Sequence, residues 1–281
     1  MTYFPRWQSS VRQCLGWLAL SVAVCSQAAP AIETLTLTSR DGVTRLTGYL
    51  WKPAGDGPFP AIVMLHGRAG SYSVAARGVY DASTLTRRHR AWGEFWAARG
   101  YLALHVDSFG PRGYPQGFAR NTYQDRPAAV SEHTVRPLDA YAALHYLRDR
   151  SDVLGDRIGV QGWSNGAMTV LAALGGDPRT GFRAALAFYP GCGEQDKRDY
   201  MPYAPLLMLL AAEDDEVSPA VCRRVGERAI ARGANLELVV YPGAEHAFDD
   251  PGSRKQANEA NRTATADAQQ RAAEFLARHM R

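Results

Sequence analysis

The chain has 281 residues, 46% hydrophobic and 21% charged, the size and balance of one globular domain with a large core. Its net charge is +4, and two of those charges, Arg6 and Arg12, fall in an acid-free leader, so the remainder is close to neutral. No basic cluster is interleaved with aromatics, which argues against a nucleic-acid partner.

Residues 1–28 have the layout of a secretory leader, leaving 29–281 as a single domain. Arg6 and Arg12 supply the positive start, Leu15 to Cys25 the apolar run, and Ser26-Gln27-Ala28 the small residues of a cleavage site. That run is too short to span a bilayer comfortably. The expected location is periplasmic or secreted, with no stable membrane anchor after cleavage; a retained leader acting as an anchor is the alternative. Cys14 and Cys25 leave with the leader, and Cys192 and Cys222 remain.

Thr34 to Thr38 alternates like a half-exposed strand, Asp41-Gly42 turns, and Arg45 to Trp51 returns, which predicts an antiparallel hairpin. Pro60 to Leu65 is a continuous apolar run, the pattern of a central strand buried on both faces. His66-Gly67-Arg68-Ala69-Gly70 follows it. Residues 71–88 read as polar loop, and Arg90 to Arg99 as a helix closed by Gly100. Tyr101 to Asp107 is another buried strand. Residues 108–131 form a long loop expected to border a functional site. Thr134 to Arg150 is helical, and Arg157 to Gln161 is a strand.

Next comes Gly162-Trp163-Ser164-Asn165-Gly166, followed by the apolar helix Ala167 to Leu174. Strand, Gly-x-Ser-x-Gly and helix together make the context of a nucleophile elbow. The glycines let a serine sit in a tight strand-to-helix turn, and the helix start favours developing negative charge. Beyond it, strands are expected at 184–189, 205–211 and 236–241. A helix from Ser218 to Arg232 has Pro219 at its first position, and residues 247–262 read as polar loop before a final helix from Ala264 to His279. Strands alternating with helices predict an α/β fold, a mostly parallel twisted sheet of about eight strands with helices on both faces.

Arg68, Ser164, Asp215 and His246 all fall just past strand C-terminal ends, the edge where ligands bind in such sheets. A serine nucleophile needs a base for its proton and a carboxylate to hold that base. The order Ser164, Asp215, His246 fits that requirement. His246 follows an acid and the last strand, in a loop opened by Pro242-Gly243. His66, His105 and His145 read as core or supporting residues, and His89, His133 and His279 as surface. Asp215 is preferred as the acid over its neighbours Glu213 and Asp214. Backbone N–H groups of Asn165 and Arg68 are the expected oxyanion donors. Arg68, Arg112 and Trp163 are expected to meet the substrate, and a guanidinium fork would favour an ester bearing a free acid. No metal-ligand motif and no Gly-x-Gly-x-x-Gly after a strand occurs, so the chemistry is expected to need no metal or cofactor.

Cys192 and Cys222 follow the ends of consecutive strands, which are usually spatial neighbours. An exported chain holds them in an oxidising compartment, so a disulfide is expected. The loop it closes spans 30 residues, for which chain entropy gives roughly 3–4 kcal/mol.

From Leu65 to His246 the chain resembles the dienelactone hydrolase family of α/β-hydrolases. The motifs are Leu65-His66-Gly67-Arg68-Ala69-Gly70, Asp107-Ser108-Phe109-Gly110-Pro111-Arg112-Gly113, the elbow, Tyr189-Pro190-Gly191-Cys192, Asp215 with Val217-Ser218-Pro219, and Tyr241 to Phe248. The namesake enzymes use a cysteine nucleophile, whereas this elbow carries Ser164. The resemblance therefore implies a serine hydrolase for a small carboxylic ester or lactone, with a polyester or cutin-type esterase as the alternative. A binding protein on a hydrolase scaffold is the non-enzymatic alternative, and the complete Ser-Asp-His set argues against it.

Overall fold

The computed structural model describes residues 1–4, 32–175 and 181–281. Nearly all of the leader expected at 1–28 lies outside the described residues.

Eight strands form one sheet: β1 (Glu33–Thr38), β2 (Arg45–Trp51), β3 (Phe59–Leu65), β4 (Leu102–Asp107), β5 (Val153–Trp163), β6 (Ala184–Phe188), β7 (Leu206–Glu213) and β8 (Leu236–Glu245). Their spatial order is β1-β2-β4-β3-β5-β6-β7-β8. The first hairpin is antiparallel and joins β4 antiparallel, while β3 to β8 run parallel. The connecting helices are α1 (Arg87–Ala97), α2 (Arg136–Arg148), α3 (Asn165–Ala173), α4 (Gly193–Asp196), α5 (Pro219–Ala231), α6 (Ser253–Gln256) and α7 (Glu259–His279).

The apolar runs of the central strands have the consequence expected of a sheet buried on both sides. Alternate residues point to opposite faces. Val63 and Leu65 of β3 pack into one core with Leu144 of α2, Val170 of α3 and Val225 of α5. Ile62 and Met64 pack into a second core with Trp92 and Trp96 of α1 and Phe275 of α7. Five parallel strand ends thereby stay free at one edge, where β3, β5, β6, β7 and β8 deliver the residues of the site.

Element ends differ from the sequence reading in instructive places. β8 continues through Pro242 and Gly243 to Glu245, because its edge position leaves the proline no required ladder bond. His246 therefore leaves directly from a strand end and not from a loop opened at Pro242. The segment 247–262 contains α6 and the first residues of α7, which starts where the Asn258 side chain accepts the Ala260 N–H. Cys192 and Cys222 are bonded, with their Cα atoms 5.0 Å apart. The bridge ties the end of β6 to the start of α5 and encloses the β7 end.

Three histidines are fully buried on the second face. His89 stacks on His105 at 4.2 Å between centroids, and His66 lies 6.0 Å from His105. His105 meets the Ser71 hydroxyl, and His66 accepts the Ser108 N–H while its other nitrogen donates to the Gly67 carbonyl. Burial holds all three well below the ordinary histidine range, His89 at about 3. Nearby cations add to this. Asp107 is pushed the other way, upward, also by burial. Below pH ~6.5 the unfolded chain therefore takes up histidine protons that the folded chain refuses, and stability falls as pH drops through that range. Three histidines opposed by one aspartate predict a net uptake of protons on unfolding between pH 6 and 4. Urea midpoints measured across that range check this; a flat midpoint from pH 7 to 5 would contradict it.

Candidate active site

Ser164 sits between β5 and α3 with φ 52° and ψ −115°, a left-handed conformation that a non-glycine residue adopts only under constraint. The constraint is visible in its neighbours. A Cβ on Gly162 would fall on the Gly166 carbonyl, and one on Gly166 would fall on the carbonyl oxygens of Leu65 and His66. The elbow thus packs backbone against backbone on the end of β3. The Ser164 N–H is held by the Phe188 carbonyl at 2.9 Å.

The Ser164 hydroxyl lies 3.0 Å from His246 Nε2. His246 Nδ1 lies 2.8 Å from Asp214 Oδ2. The expected acid, Asp215, does not take part. Its side chain is 63% exposed and pairs with Arg120 at 2.8 Å. The register of β7 with β8 explains the difference: Glu213 is paired with Glu245, so the next residue of each strand, Asp214 and His246, emerge side by side. The other oxygen of Asp214 accepts the N–H groups of Glu216 and Val217, both at 2.9 Å, which fixes the carboxylate. The His246 ring packs on Tyr189 at 4.8 Å. Three residues on, Asp249 gathers the indole N–H groups of Trp92 and Trp163, both at 2.8 Å, together with the Tyr189 hydroxyl. This buried carboxylate ties the His246 loop to the strand that carries the elbow.

Asn165 is the first residue of α3, so its N–H lies outside the helix's own bonding. The Arg68 N–H has no acceptor among the described residues, while its carbonyl accepts from Phe118 N–H at 2.8 Å.

A family model described as the dienelactone hydrolase family matches residues 46–280. The chain belongs to the dienelactone hydrolase family. It is accordingly a carboxylic-ester hydrolase of the α/β-hydrolase superfamily. One relative, from Bradyrhizobium sp, is named a probable 2-oxo-3-(5-oxofuran-2-ylidene)propanoate lactonase; it is 25% identical over 235 residues, covering 78% of this chain and 87% of its own. A dienelactone hydrolase-like promiscuous phosphotriesterase from metagenomic libraries has a crystal structure with TM-score 0.68 at 18% identity, covering 90% of this chain and all (100%) of its own. An esterase of Pyrococcus furiosus gives TM-score 0.61 at 20% identity, covering 90% of this chain and 94% of its own. At those identities the solved structures speak for the fold.

Ser164 opens into a cavity of about 440 Å³ whose wall includes Arg68, Arg126, Met168, Cys192 and Val221. The disulfide is therefore part of the site wall in this family member. Among the described residues no group of three or more His, Cys, Asp or Glu is placed to hold a metal ion.

Two of the three expected substrate contacts lie elsewhere. Trp163 is fully buried behind the serine, held by Asp249. Arg112 faces away from the cavity and grips Asp139 with both fork nitrogens, at 2.8 and 2.9 Å, and Asp41 at 2.9 Å. Arg68 does line the cavity, but its fork is taken by Glu216 at 2.7 and 2.8 Å. Burial raises the Glu216 carboxyl, and the bonds from Arg68 and the nearby His246 outweigh it, leaving the group below the usual range. Glu216 Oε2 is also 3.8 Å from His246 Nε2. Sequence spacing gave no sign of Glu216. The guanidinium of Arg126 reaches the cavity without an ion pair among the described residues, between the rings of Tyr123 and Phe118.

Arg112 is thus a structural cation whose removal strands a carboxylate, Asp139, with no exposed side-chain surface. Arg112→Ala is expected to cost about 3 kcal/mol of stability, with the ratio of kcat/KM for matched anionic and neutral esters unchanged. Denaturant unfolding and paired ester kinetics measure both; a fall in that ratio at unchanged stability would return Arg112 to the substrate.

Proposed function

We propose that this family member is an exported serine hydrolase that cleaves a small carboxylic ester or lactone through Ser164, His246 and Asp214. The observation that carries the reading is the hydrogen-bonded series hydroxyl–imidazole–carboxylate at 3.0 and 2.8 Å, opening on a cavity. Two further features favour export: the leader-like residues 1–28 and the Cys192–Cys222 bridge, which suits an oxidising compartment.

In this reading the Ser164 oxygen attacks the ester carbonyl while His246 Nε2 takes its proton. Asp214, bonded to Nδ1–H, holds the tautomer and balances the imidazolium. The oxyanion meets the N–H groups of Asn165 and Arg68. Collapse breaks the bond to the alkoxide, which receives the proton from His246 and leaves. Water then enters, loses a proton to His246 and releases the acid and Ser164. A lactone follows the same course with the alcohol still attached; the Bradyrhizobium relative's name makes that substrate class a natural candidate. An acid carried by the substrate would meet Arg126, because Arg68 and Arg112 are already paired.

Variant kinetics on p-nitrophenyl esters test this. Ser164→Ala and His246→Ala should each lower kcat by about 10³-fold or more, and Asp214→Asn by a large part of that, with folds intact by circular dichroism. Asp215→Asn should stay within about threefold of the parent chain, the cost of losing only an exposed pair. Arg126→Met should lower kcat/KM for anionic esters selectively. A damaging Asp215→Asn beside a silent Asp214→Asn would overturn the assignment of the acid.

A further inference from the structure

Behind the elbow lies a charged side chain that the reaction above leaves unused. Arg136, the first residue of α2, is completely buried. One fork nitrogen donates to the Asn165 side-chain oxygen, and the other to the His66 carbonyl at 2.8 Å. The guanidinium covers the Phe109 ring at 4.9 Å. Its Nε is buried with no hydrogen-bond partner.

Arg136 makes no ion pair with any described residue. Three carboxylates act on it without pairing with it: Asp139, committed to the fork of Arg112, the buried Glu132, which lies 3.7 Å from His133 Nε2, and Asp107, committed to the Tyr72 hydroxyl and the N–H groups of Phe109 and Gly110. Burial draws the Arg136 guanidinium down to about 10, which leaves it charged at neutral pH. Its field helps keep His66 and His105 neutral. An unpaired buried cation costs several kcal/mol in desolvation, and a hydrocarbon side chain would fill the same space more cheaply.

The two groups it holds are informative. Asn165 follows the nucleophile and carries one expected oxyanion donor. His66 begins the turn that carries the other, Arg68. The two segments come from different strands, β5 and β3, and the Arg136 fork bridges them. We propose that Arg136 is a positioning residue of the oxyanion site: its fork sets the spacing of the Asn165 and Arg68 amides, and its unpaired charge favours the anionic tetrahedral intermediate over the neutral ester. The proposal rests on the serine-hydrolase reading above.

The test compares Arg136→Met, which removes charge and fork, with Arg136→Lys, which keeps the charge. Each is measured for kcat and KM on a neutral p-nitrophenyl ester. Each is also measured for binding of an aryl trifluoromethyl ketone, to whose carbonyl Ser164 adds, giving its proton to His246 and leaving an oxyanion. The matching methyl ketone serves as a neutral control. Arg136→Met should lower kcat about 10- to 100-fold, somewhat less than loss of a direct oxyanion donor. KM and methyl ketone binding should stay within about threefold, and trifluoromethyl ketone affinity should fall in step with kcat/KM. Arg136→Lys should recover part of both. Equal values for Arg136→Met and the parent chain, or an equal loss with both ketones, would overturn the proposal. If Arg136→Met does not fold, Asn165→Ala decides: it keeps both amides and frees the fork, and should lower kcat at constant KM, whereas unchanged kcat would sink the idea. Failure of the parent chain to hydrolyse any ester or to bind the trifluoromethyl ketone would instead remove the serine-hydrolase reading itself.

Discussion

The site depends on one close approach of backbone to backbone. Gly166 lies against the carbonyls of Leu65 and His66, and Gly162 against Gly166, so the turn between β5 and α3 is pressed onto the end of β3. No residue with a Cβ fits either place. That contact forces Ser164 into its left-handed conformation and lifts its hydroxyl clear of the sheet edge. It also brings the Asn165 amide alongside the turn that holds Arg68. Neither His246 nor Asp214 is near Ser164 in sequence; β7 and β8 deliver them because their parallel pairing puts Glu213 beside Glu245 and so Asp214 beside His246. A parallel sheet with its free ends at one edge converts four distant stretches of chain into a single cluster.

Around that cluster the molecule buries several charged side chains. Asp249 is closed in by two indoles, a phenol and Arg88, Asp139 by Arg112, and Arg136 by carbonyl and amide oxygens and the Phe109 ring. Buried polar groups of this kind stabilise poorly compared with hydrocarbon but hold geometry tightly when their bonds are complete. Each links segments that belong to different strands: Asp249 the His246 loop to β5 and β6, Arg136 β5 to β3. The Cys192–Cys222 bridge does the same covalently for the cavity wall. Precision at the reacting atoms is thus spread over a shell of residues that lie mostly behind the cavity wall.

Much of this was legible from sequence, and the failures have a common cause. The apolar runs revealed the sheet, and the glycine spacing revealed the elbow, because both are local consequences of backbone geometry. The disulfide followed from strand adjacency. The carboxylate that meets His246 is Asp214 and not the expected Asp215, because three consecutive acids, Glu213, Asp214 and Asp215, differ only in the direction each faces, which the register with β8 decides. Arg112 sits in a neighbouring motif and Trp163 in the elbow itself, yet both turn away from the cavity and are held by Asp139 and Asp249. Arg136 gave no local signal at all: its partners are 29 and 70 residues away along the chain.

The central claim is that Ser164 is the nucleophile of a covalent ester-cleaving cycle. Mass spectrometry of the chain after exposure to a fluorophosphonate tests it most directly. The account predicts one adduct per chain, on Ser164, with its formation rate slowed by a competing ester and ester hydrolysis lost in proportion to labelling. Full ester hydrolysis by a chain that stays unlabelled, or an adduct confined to another residue while activity disappears, would contradict it.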